Sequence, residues 1–207
     1  MPDSEQIQSG SHDYRLHLAS ASPRRREILQ ALGLVFTAAA EDVDESRFEG
    51  EDPEFMAIRL ATTKAQAAAS NDRHDNVILA ADTVVTLDDT VFGKPESRDD
   101  AVMMLESLSG KEHSVLTGVA VLCQGVVRTT VSRTSVRFRE ISPDEAAHYW
   151  QSGEPCDKAG AYAIQGKGGI FVEAISGSYS GVVGLPIFET ARLLGEAGIF
   201  VLGSNGN

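Results

Sequence analysis

Three arginines occupy the opening turn of a predicted helix, where they oppose the local electrostatics. Ser22 and Pro23 are typical of an N-cap and a first helical position, and Arg24, Arg25 and Arg26 follow directly. A helix begins with unpaired N–H donors and the positive end of its dipole, so cations are unfavourable there. A bound phosphate would reverse that balance. The alternative is a solvated basic face, because the repulsion costs only a few tenths of a kcal/mol per charge.

A carboxylate interrupts the most strand-like stretch of the chain. Asp82 lies within VILAADTVVTL, residues 77–87. Such a group is costly on an apolar strand unless it is paired, hydrogen-bonded or bound to a metal. At a strand end that faces a cleft, Asp82 would hold a divalent cation or deprotonate a water molecule. The alternative is that it ends the strand or caps a turn, and the chemistry favours the first interpretation.

Two lysines and a glutamine have residue types that suit a nucleotide. Lys94, in a Gly-Lys-Pro turn, could present its ammonium to a phosphate. Taken alone, however, Lys94 is more typical of an ordinary exposed loop lysine, and the same holds for Lys64 on its alanine-rich helix. Gln165 carries an amide donor and acceptor that suit a base edge. It lies in DKAGAYAIQG, residues 157–166, where glycines would let the backbone approach a ligand; a plain glycine-rich connection is the alternative. The chain has no GxxxxGK[ST] motif and is therefore not a P-loop protein.

Composition excludes several classes of protein. The 207 residues carry 18 Lys and Arg against 30 Asp and Glu, a net charge of −12, which would repel a nucleic-acid backbone. No apolar run approaches the roughly 18 residues of a membrane span, and the polar N-terminus is unlike a secretory signal. We therefore expect a cytoplasmic protein with no nucleic-acid or membrane partner. Cys123 and Cys156 lack metal-site spacing, and two reduced thiols are expected.

Local patterns predict the elements that must position these side chains. The predicted strands cover residues 16–19, 34–39, 77–87, 115–123, 126–138 and 171–175. The predicted helices begin at Pro23, Pro53, Ser97, Pro143 and Pro186, each near a capping residue or an N-terminal proline. Residues 41–52 and 153–169 are expected to be loops, and 177–179 and 183–186 structural turns. The order predicts an α/β fold with a central mixed, twisted sheet flanked by helices. We expect a polar tail over 1–13, one domain over 14–200 and a flexible end over 201–207.

Taken together, these segments resemble the Maf family of nucleotide pyrophosphatases. The resemblance extends from Leu18 to Leu194 and is carried by LASASPRRREIL, AEDVDES, LATTKAQA, AADTVV, GKP, LSGKEHSVLTGVAV, DKAGAYAIQGKGGIF and GSYSGVVGLP. The family is related in fold to the inosine-triphosphate pyrophosphatases. The resemblance therefore implies two lobes around a cleft.

The resemblance also implies an activity. Maf proteins hydrolyse a nucleoside triphosphate to the monophosphate and pyrophosphate with a divalent metal, here Mg²⁺ or Mn²⁺. The Ile164-Gln165-Gly166 version resembles the group that prefers dTTP and UTP. A house-cleaning role, a link to septum formation and a homodimer are further implications. Two alternatives stay open: a pyrophosphatase for a modified purine nucleotide such as 7-methyl-GTP, and a nucleotide-binding division regulator with little turnover.

Matching positions give each site residue an implied role. Asp82 matches the general base, and Arg24, Thr83 and Gln165 match positions linked to substrate choice. The expected phosphate-binding residues are Ser20, Arg25, Lys64 and Lys94, and the expected metal ligands are Glu45 and Asp82. Thr63 departs from the family pattern, in which many relatives carry glutamate or asparagine. The missing carboxylate would leave more of the metal coordination to Glu45 or Asp44.

Overall fold

A seven-stranded sheet runs through the part of the chain that this computed structural model describes, residues 15–70 and 76–203. The predicted polar tail over residues 1–13 lies outside the described residues, as do residues 204–207 of the predicted flexible end. The division into a tail, one domain over 14–200 and a flexible end stays a prediction.

The sheet is mixed, as the sequence predicts. Its strands are β1 (Arg15–Ala19), β2 (Phe36–Ala39), β3 (Asn76–Leu87), β4 (Thr90–Phe92), β5 (Glu112–Cys123), β6 (Val126–Phe138) and β7 (Val172–Ser176). They lie in the order β2-β1-β3-β5-β6-β7, with β4 paired to β3 off this path. The β1 pairings with β2 and β3 are parallel, and all other pairings are antiparallel.

Helices flank the sheet, and the predicted caps form at four of them. The helices are α1 (Pro23–Ala31), α2 (Pro53–Ala69), α3 (Arg98–Leu108), α4 (Pro143–Gln151), α5 (Tyr179–Val183) and α6 (Ile187–Glu196). The side chains of Ser22, Asp52, Ser97 and Ser142 each accept a hydrogen bond from a backbone N–H of the first turn. Ser142 and Glu145 form the reciprocal capping box that their spacing predicts.

One short strand was not predicted, and two regions that we expected to be turns or loop contain short helical segments. Thr90–Phe92 forms a strand that folds back on β3, and the turn before it uses a positive φ of 53° at Asp88. The segment Tyr179–Val183 is a short helix with Ser178 as its N-cap, where we expected only turns. The predicted loop over 153–169 contains 3-10 turns at Glu154–Asp157, Ala159–Ala161 and Lys167–Phe171. Each of these elements has five residues or fewer, so hydrophobic periodicity gives little signal for them.

Packing of α2 against the sheet brings its polar residues to the end of β1. Helix α2 lies on β3 and β5, and a Cβ at Gly118 of β5 would come within 2.3 Å of the Ala57 carbonyl oxygen. Only glycine permits that close approach. Leu79 of β3 pairs with Leu18 of β1, so Asp82, three residues later, lies beyond the point where β1 ends. No helix within the described ranges is long and apolar enough to cross a membrane.

Candidate active site

A cleft of about 470 Å³ opens where β1 ends and α1 begins. A crevice at the carboxyl ends of parallel strands is where open α/β sheets usually bind ligands. Its lining includes all nine residues that the sequence suggested for the site, namely Ser20, Arg24, Arg25, Glu45, Lys64, Asp82, Thr83, Lys94 and Gln165. These residues come from distant segments of the chain. The fold therefore assembles the proposed site.

Arg25 joins the start of α1 to three other parts of the cleft. Its guanidinium donates to the Ser20 hydroxyl at 3.1 Å, to the Gly184 carbonyl at 2.8 Å and to the Thr83 hydroxyl at 3.4 Å. Burial lowers the pKa of Arg25 from its ordinary value, and the negative charge of Asp82 opposes that shift. A guanidinium has five N–H donors, so these three bonds leave donors for an anion in the cleft.

The Lys64 ammonium lies between two carboxylates. Its Nζ is 2.6 Å from Asp82 Oδ1 and 2.5 Å from Glu45 Oε1. Lys64 on α2 and Asp82 on β3 are buried, with side chains 11% and 12% exposed, whereas the Glu45 side chain is 49% exposed. The direct ion pair thus offsets the desolvation cost of a carboxylate on this apolar strand.

The cations around Glu45 determine its protonation. Partial burial raises the pKa of Glu45, but the hydrogen bond and charge of Lys64, together with the charges of Lys94 and Arg25, outweigh burial. The net result is a pKa below the ordinary value for a glutamate. Glu45 is therefore ionised at neutral pH and faces the cleft as an anion.

A chain of hydrogen bonds sets the direction of the Thr83 hydroxyl. Thr117, which is fully buried on β5, donates to the Gly181 carbonyl at 2.8 Å. Its hydroxyl oxygen is 3.1 Å from the Thr83 hydroxyl oxygen. Because the Thr117 proton is used by Gly181, Thr83 must be the donor in that second bond. Thr83 therefore presents acceptor lone pairs to Arg25 and to the cleft.

Arg24, Lys94 and Gln165 lie at the more open part of the cleft. Arg24 is 3.5 Å from the carboxylate of Asp157, which also pairs with Lys158. Lys94 and Gln165 are exposed. Arg26, the third arginine of the opening turn, is absent from the cleft lining. The basic run therefore supplies two cations to the cleft.

The expected metal ligands fit an ion that arrives with a nucleotide. One oxygen of Glu45 and one of Asp82 contact Lys64, so each carboxylate keeps a second oxygen as a ligand. Within residues 15–70 and 76–203 there is no group of three or more His, Cys, Asp or Glu side chains suited to a metal ion. Mg²⁺ commonly binds through one or two carboxylates plus substrate phosphates, and Mn²⁺ accepts the same hard oxygen donors.

Thr63, where the chain departs from the family pattern, bonds to its own helix and does not face the cleft. Its hydroxyl donates to the Arg59 carbonyl of its own helix at 2.9 Å, and Thr63 is absent from the cleft lining. Asp44, which we expected to be a substitute ligand, is also absent from the lining and accepts from the backbone N–H of Ser46. Of the two acids considered as substitutes, only Glu45 reaches the cleft.

Sequence reasoning missed several residues that build the cleft. Gly184 lies in a segment that we interpreted as a structural turn, yet its carbonyl accepts from Arg25. Thr117 and Asp157 lie in segments that carry the family resemblance, but their residue types alone gave no reason to select them. That the glycines of 157–166 approach a ligand stays a prediction, and two of them make close contacts within the chain. A Cβ on Gly160 would meet Val85, and one on Gly166 would collide with Glu154.

Comparisons with known proteins cover nearly the whole chain. A family model described as Maf-like protein matches residues 15–197. A relative from Chromobacterium violaceum, named dTTP/UTP pyrophosphatase, is 50% identical over 192 residues, which are 91% of this chain and 97% of the relative. Relatives with the same name from Vibrio cholerae and Hahella chejuensis are 48% and 50% identical, covering 87% and 89% of this chain and 96% and 93% of their own.

A comparison of structures found a more distant likeness. A nucleoside-triphosphatase described as a dITP/XTP pyrophosphatase, from Mycobacterium abscessus, is 12% identical and covers 60% of this chain and 74% of its own. Its TM-score of 0.40 is too low to support an argument about fold or function.

Proposed function

The chain belongs to the Maf-like protein family, and on that premise we propose that it hydrolyses dTTP and UTP to the monophosphate and pyrophosphate. Relatives at about half identity over most of the chain carry the name dTTP/UTP pyrophosphatase. The protein is accordingly a nucleoside triphosphate pyrophosphatase.

One observation carries the proposal more than any other. Arg24, Arg25, Lys64 and Lys94 line a single cleft, beside three carboxylates that pair with Arg24 and Lys64, in a chain whose net charge is −12. A negatively charged protein needs such a local concentration of cations to bind a triphosphate, because its overall field repels anions. The start of α1 adds backbone N–H donors and the positive end of its dipole.

We assign binding roles from the hydrogen-bond donors and charges that each side chain still has available for a phosphate. The hydrogen bonds of Arg25 go to neutral oxygens, and Asp82 acts on it only through space, so its guanidinium is available to bind a phosphate. Ser20 accepts from Arg25 and from the Ser22 amide, which leaves its hydroxyl proton for a phosphate oxygen. Lys94 supplies a mobile point charge at the open side.

We assign the activation of water to Asp82. A carboxylate of this kind orients a water molecule and accepts its proton as the water oxygen attacks the α-phosphorus. A phosphorus–oxygen bond forms, the bond from the α-phosphorus to the bridging oxygen breaks, and pyrophosphate departs. Lys64 fixes the direction of the Asp82 carboxylate through the 2.6 Å contact. Neutralisation of the negative charge on the reacting phosphate by the surrounding cations is expected to be the largest catalytic contribution.

We assign the divalent cation to Glu45 and Asp82. When bound, Mg²⁺ or Mn²⁺ would neutralise phosphate charge and polarise the phosphoryl group. The two carboxylates would hold that cation, and the Glu45 side chain is 49% exposed, so it could reach an ion entering with the substrate. A cytoplasmic location, a house-cleaning role, a link to septum formation and a homodimer stay predictions.

A nucleotide panel tests the proposal directly. Pyrophosphate release is measured with UTP, dTTP, CTP and 7-methyl-GTP in Mg²⁺ or Mn²⁺, and we expect UTP and dTTP to be the best substrates. Faster release from 7-methyl-GTP would favour the modified-purine alternative. Tight nucleotide binding with no release from any triphosphate would favour the division regulator.

Substitution of Asp82 tests the mechanism. Asp82→Asn should lower kcat at least about a hundredfold, the usual contribution of a general base, while nucleotide binding persists. Asp88→Asn is the matched control because Asp88 is exposed in the turn that follows the same strand. Wild-type turnover by Asp82→Asn would remove Asp82 from the mechanism.

A further inference from the structure

A carboxylate outside the catalytic centre holds the backbone beside Gln165. Glu154 accepts from the backbone N–H of Lys167 at 3.0 Å and of Gly168 at 3.0 Å, and from the Tyr149 hydroxyl at 2.6 Å. The Tyr149 hydroxyl in turn accepts from the backbone N–H of Ala163 at 3.1 Å. These bonds join both ends of the segment 163–168, which we call the Gln165 loop.

The glycines of this region fit the same contacts. A Cβ on Gly166 would lie 2.3 Å from a Glu154 carboxylate oxygen, and one on Gly168 would lie 2.6 Å from the Tyr149 hydroxyl. A Cβ on Gly169 would lie 2.7 Å from the Ile164 carbonyl oxygen. Separations below 3.0 Å are essentially never seen for real Cβ atoms. Side chains at 168 and 169 would meet backbone atoms of the loop itself, whereas one at 166 would displace the end of the Glu154 side chain from its present position.

The loop depends on these side chains for its conformation. Gln165 itself is exposed at the cleft, so packing around its own side chain does not hold it. The loop also closes on itself through the Gly166 N–H to the Ala163 carbonyl at 3.1 Å. Tyr149 is buried at the end of α4, and its ring packs edge-on against Phe171, so the anchor is rigid.

We propose that Glu154 and Tyr149 are positioning residues for pyrimidine recognition, because together they hold the Gln165 loop at the cleft. The inference rests on the proposed function and adds a structural origin for the selectivity of that site. Glu154 touches no reacting group; it acts through Gln165, whose amide reads the base edge. Neither residue lines the cleft, so we expect neither to contact the triphosphate.

The ionisation of Glu154 agrees with this role. Partial burial raises its pKa, but the bonds from Tyr149, Gly168 and Lys167 lower it further than burial raises it. The group is therefore an anion at neutral pH and accepts all three donors. A carboxylate shared by backbone N–H groups is a strong, charge-assisted anchor.

Two conservative variants test the anchor. Glu154→Gln keeps the size of the side chain, but its NH₂ group must face a backbone N–H or the Tyr149 hydroxyl in either orientation. Tyr149→Phe keeps the buried ring and leaves the Ala163 N–H without its acceptor. Glu173→Gln on β7 is the matched control, because Glu173 is exposed and only pairs with Arg137.

The expected result distinguishes recognition of the base from binding of the phosphates. We expect both variants to raise the KM for UTP about tenfold and to reduce the preference for UTP over CTP, with kcat within about threefold of wild type. Inhibition by pyrophosphate, which has no base, should stay unchanged, as should every parameter of Glu173→Gln. A general loss of folding would instead lower the apparent kcat and leave both KM and pyrophosphate inhibition unchanged.

The inference is overturned if either variant keeps the wild-type KM and UTP preference, or if pyrophosphate inhibition weakens in parallel. Binding of α,β-imido-UTP, measured by calorimetry, gives the same comparison without turnover. Failure of the proposed function is a different result, since it would appear as a wild-type protein that releases no pyrophosphate from UTP or dTTP. Weaker binding of the analogue to both variants would still support the anchor in that case.

Discussion

Replacing Lys64 by methionine removes the ammonium between Glu45 and Asp82 and keeps an unbranched side chain of similar length. The pair with Asp82 is buried, because the two side chains are only 11% and 12% exposed. At 2.6 Å, and with an effective dielectric constant of about 20, the gross attraction is about 6 kcal/mol. Desolvation of both groups offsets much of this attraction in the native protein.

Lys64→Met should lower the unfolding free energy by more than the Lys64–Asp82 pair contributes on balance. Removing one partner leaves Asp82 as an uncompensated buried charge, which costs about 3–5 kcal/mol of unfolding free energy. For a chain of this size, that corresponds to a fall in Tm of about 6–20 °C. The half-exposed Glu45 pair adds no more than about 1 kcal/mol.

The opposite substitution should be milder. Asp82→Asn leaves Lys64 paired with Glu45, so we expect a loss of only about 1–2 kcal/mol. The double variant Lys64→Met with Asp82→Asn has no unpaired buried charge at this position. It should therefore be more stable than Lys64→Met alone, although it carries one more substitution.

Urea unfolding at pH 7 measures all three variants against wild type, with the m-value as a check on two-state behaviour. Lys111→Met is the matched control, since Lys111 is exposed, and its stability should change by no more than about 0.5 kcal/mol. A double variant less stable than Lys64→Met would refute the reasoning. So would a Lys64→Met protein within about 1 kcal/mol of wild type.

Three further predictions concern residues around the cleft. Thr117→Val leaves the buried Gly181 carbonyl without its donor and should cost about 1–3 kcal/mol in urea unfolding, whereas Thr117→Ser should retain most of that stability. Burial lowers the pKa of His113 to about 4 from its ordinary value of 6.5. The neutral side chain therefore makes its full contribution to the unfolding free energy above pH 6.5, and that free energy falls by about 3 kcal/mol as the pH drops towards 4. His113→Gln should flatten this pH dependence of the unfolding free energy. Arg24→Met removes a cation whose 3.5 Å partner, Asp157, is largely exposed, so kinetics should show a higher KM for UTP with stability changed by under about 1 kcal/mol.

Helix starts were predictable because their causes are local. The Ser22 and Pro23 pair and the Ser142 and Glu145 box each act within about one turn, so their residue types indicate the boundary directly. The hairpin at Gln124 and Gly125 is equally local, and both residues adopt the positive φ that such a turn requires. The membership of the site came from the resemblance of motifs, and all nine residues line one cleft.

The amino-acid sequence by itself thus determined the main helices, most strands and the residue types available for chemistry. Only the tertiary structure decided which of them are partners. Lys64 meets Asp82 because the close contact at Gly118 sets α2 against β5, and Glu154 meets the amides of 167 and 168 across a chain separation of thirteen residues or more. Capping and periodicity act over a few residues, whereas these contacts depend on sheet register and on the packing of whole elements, which no short stretch of sequence encodes.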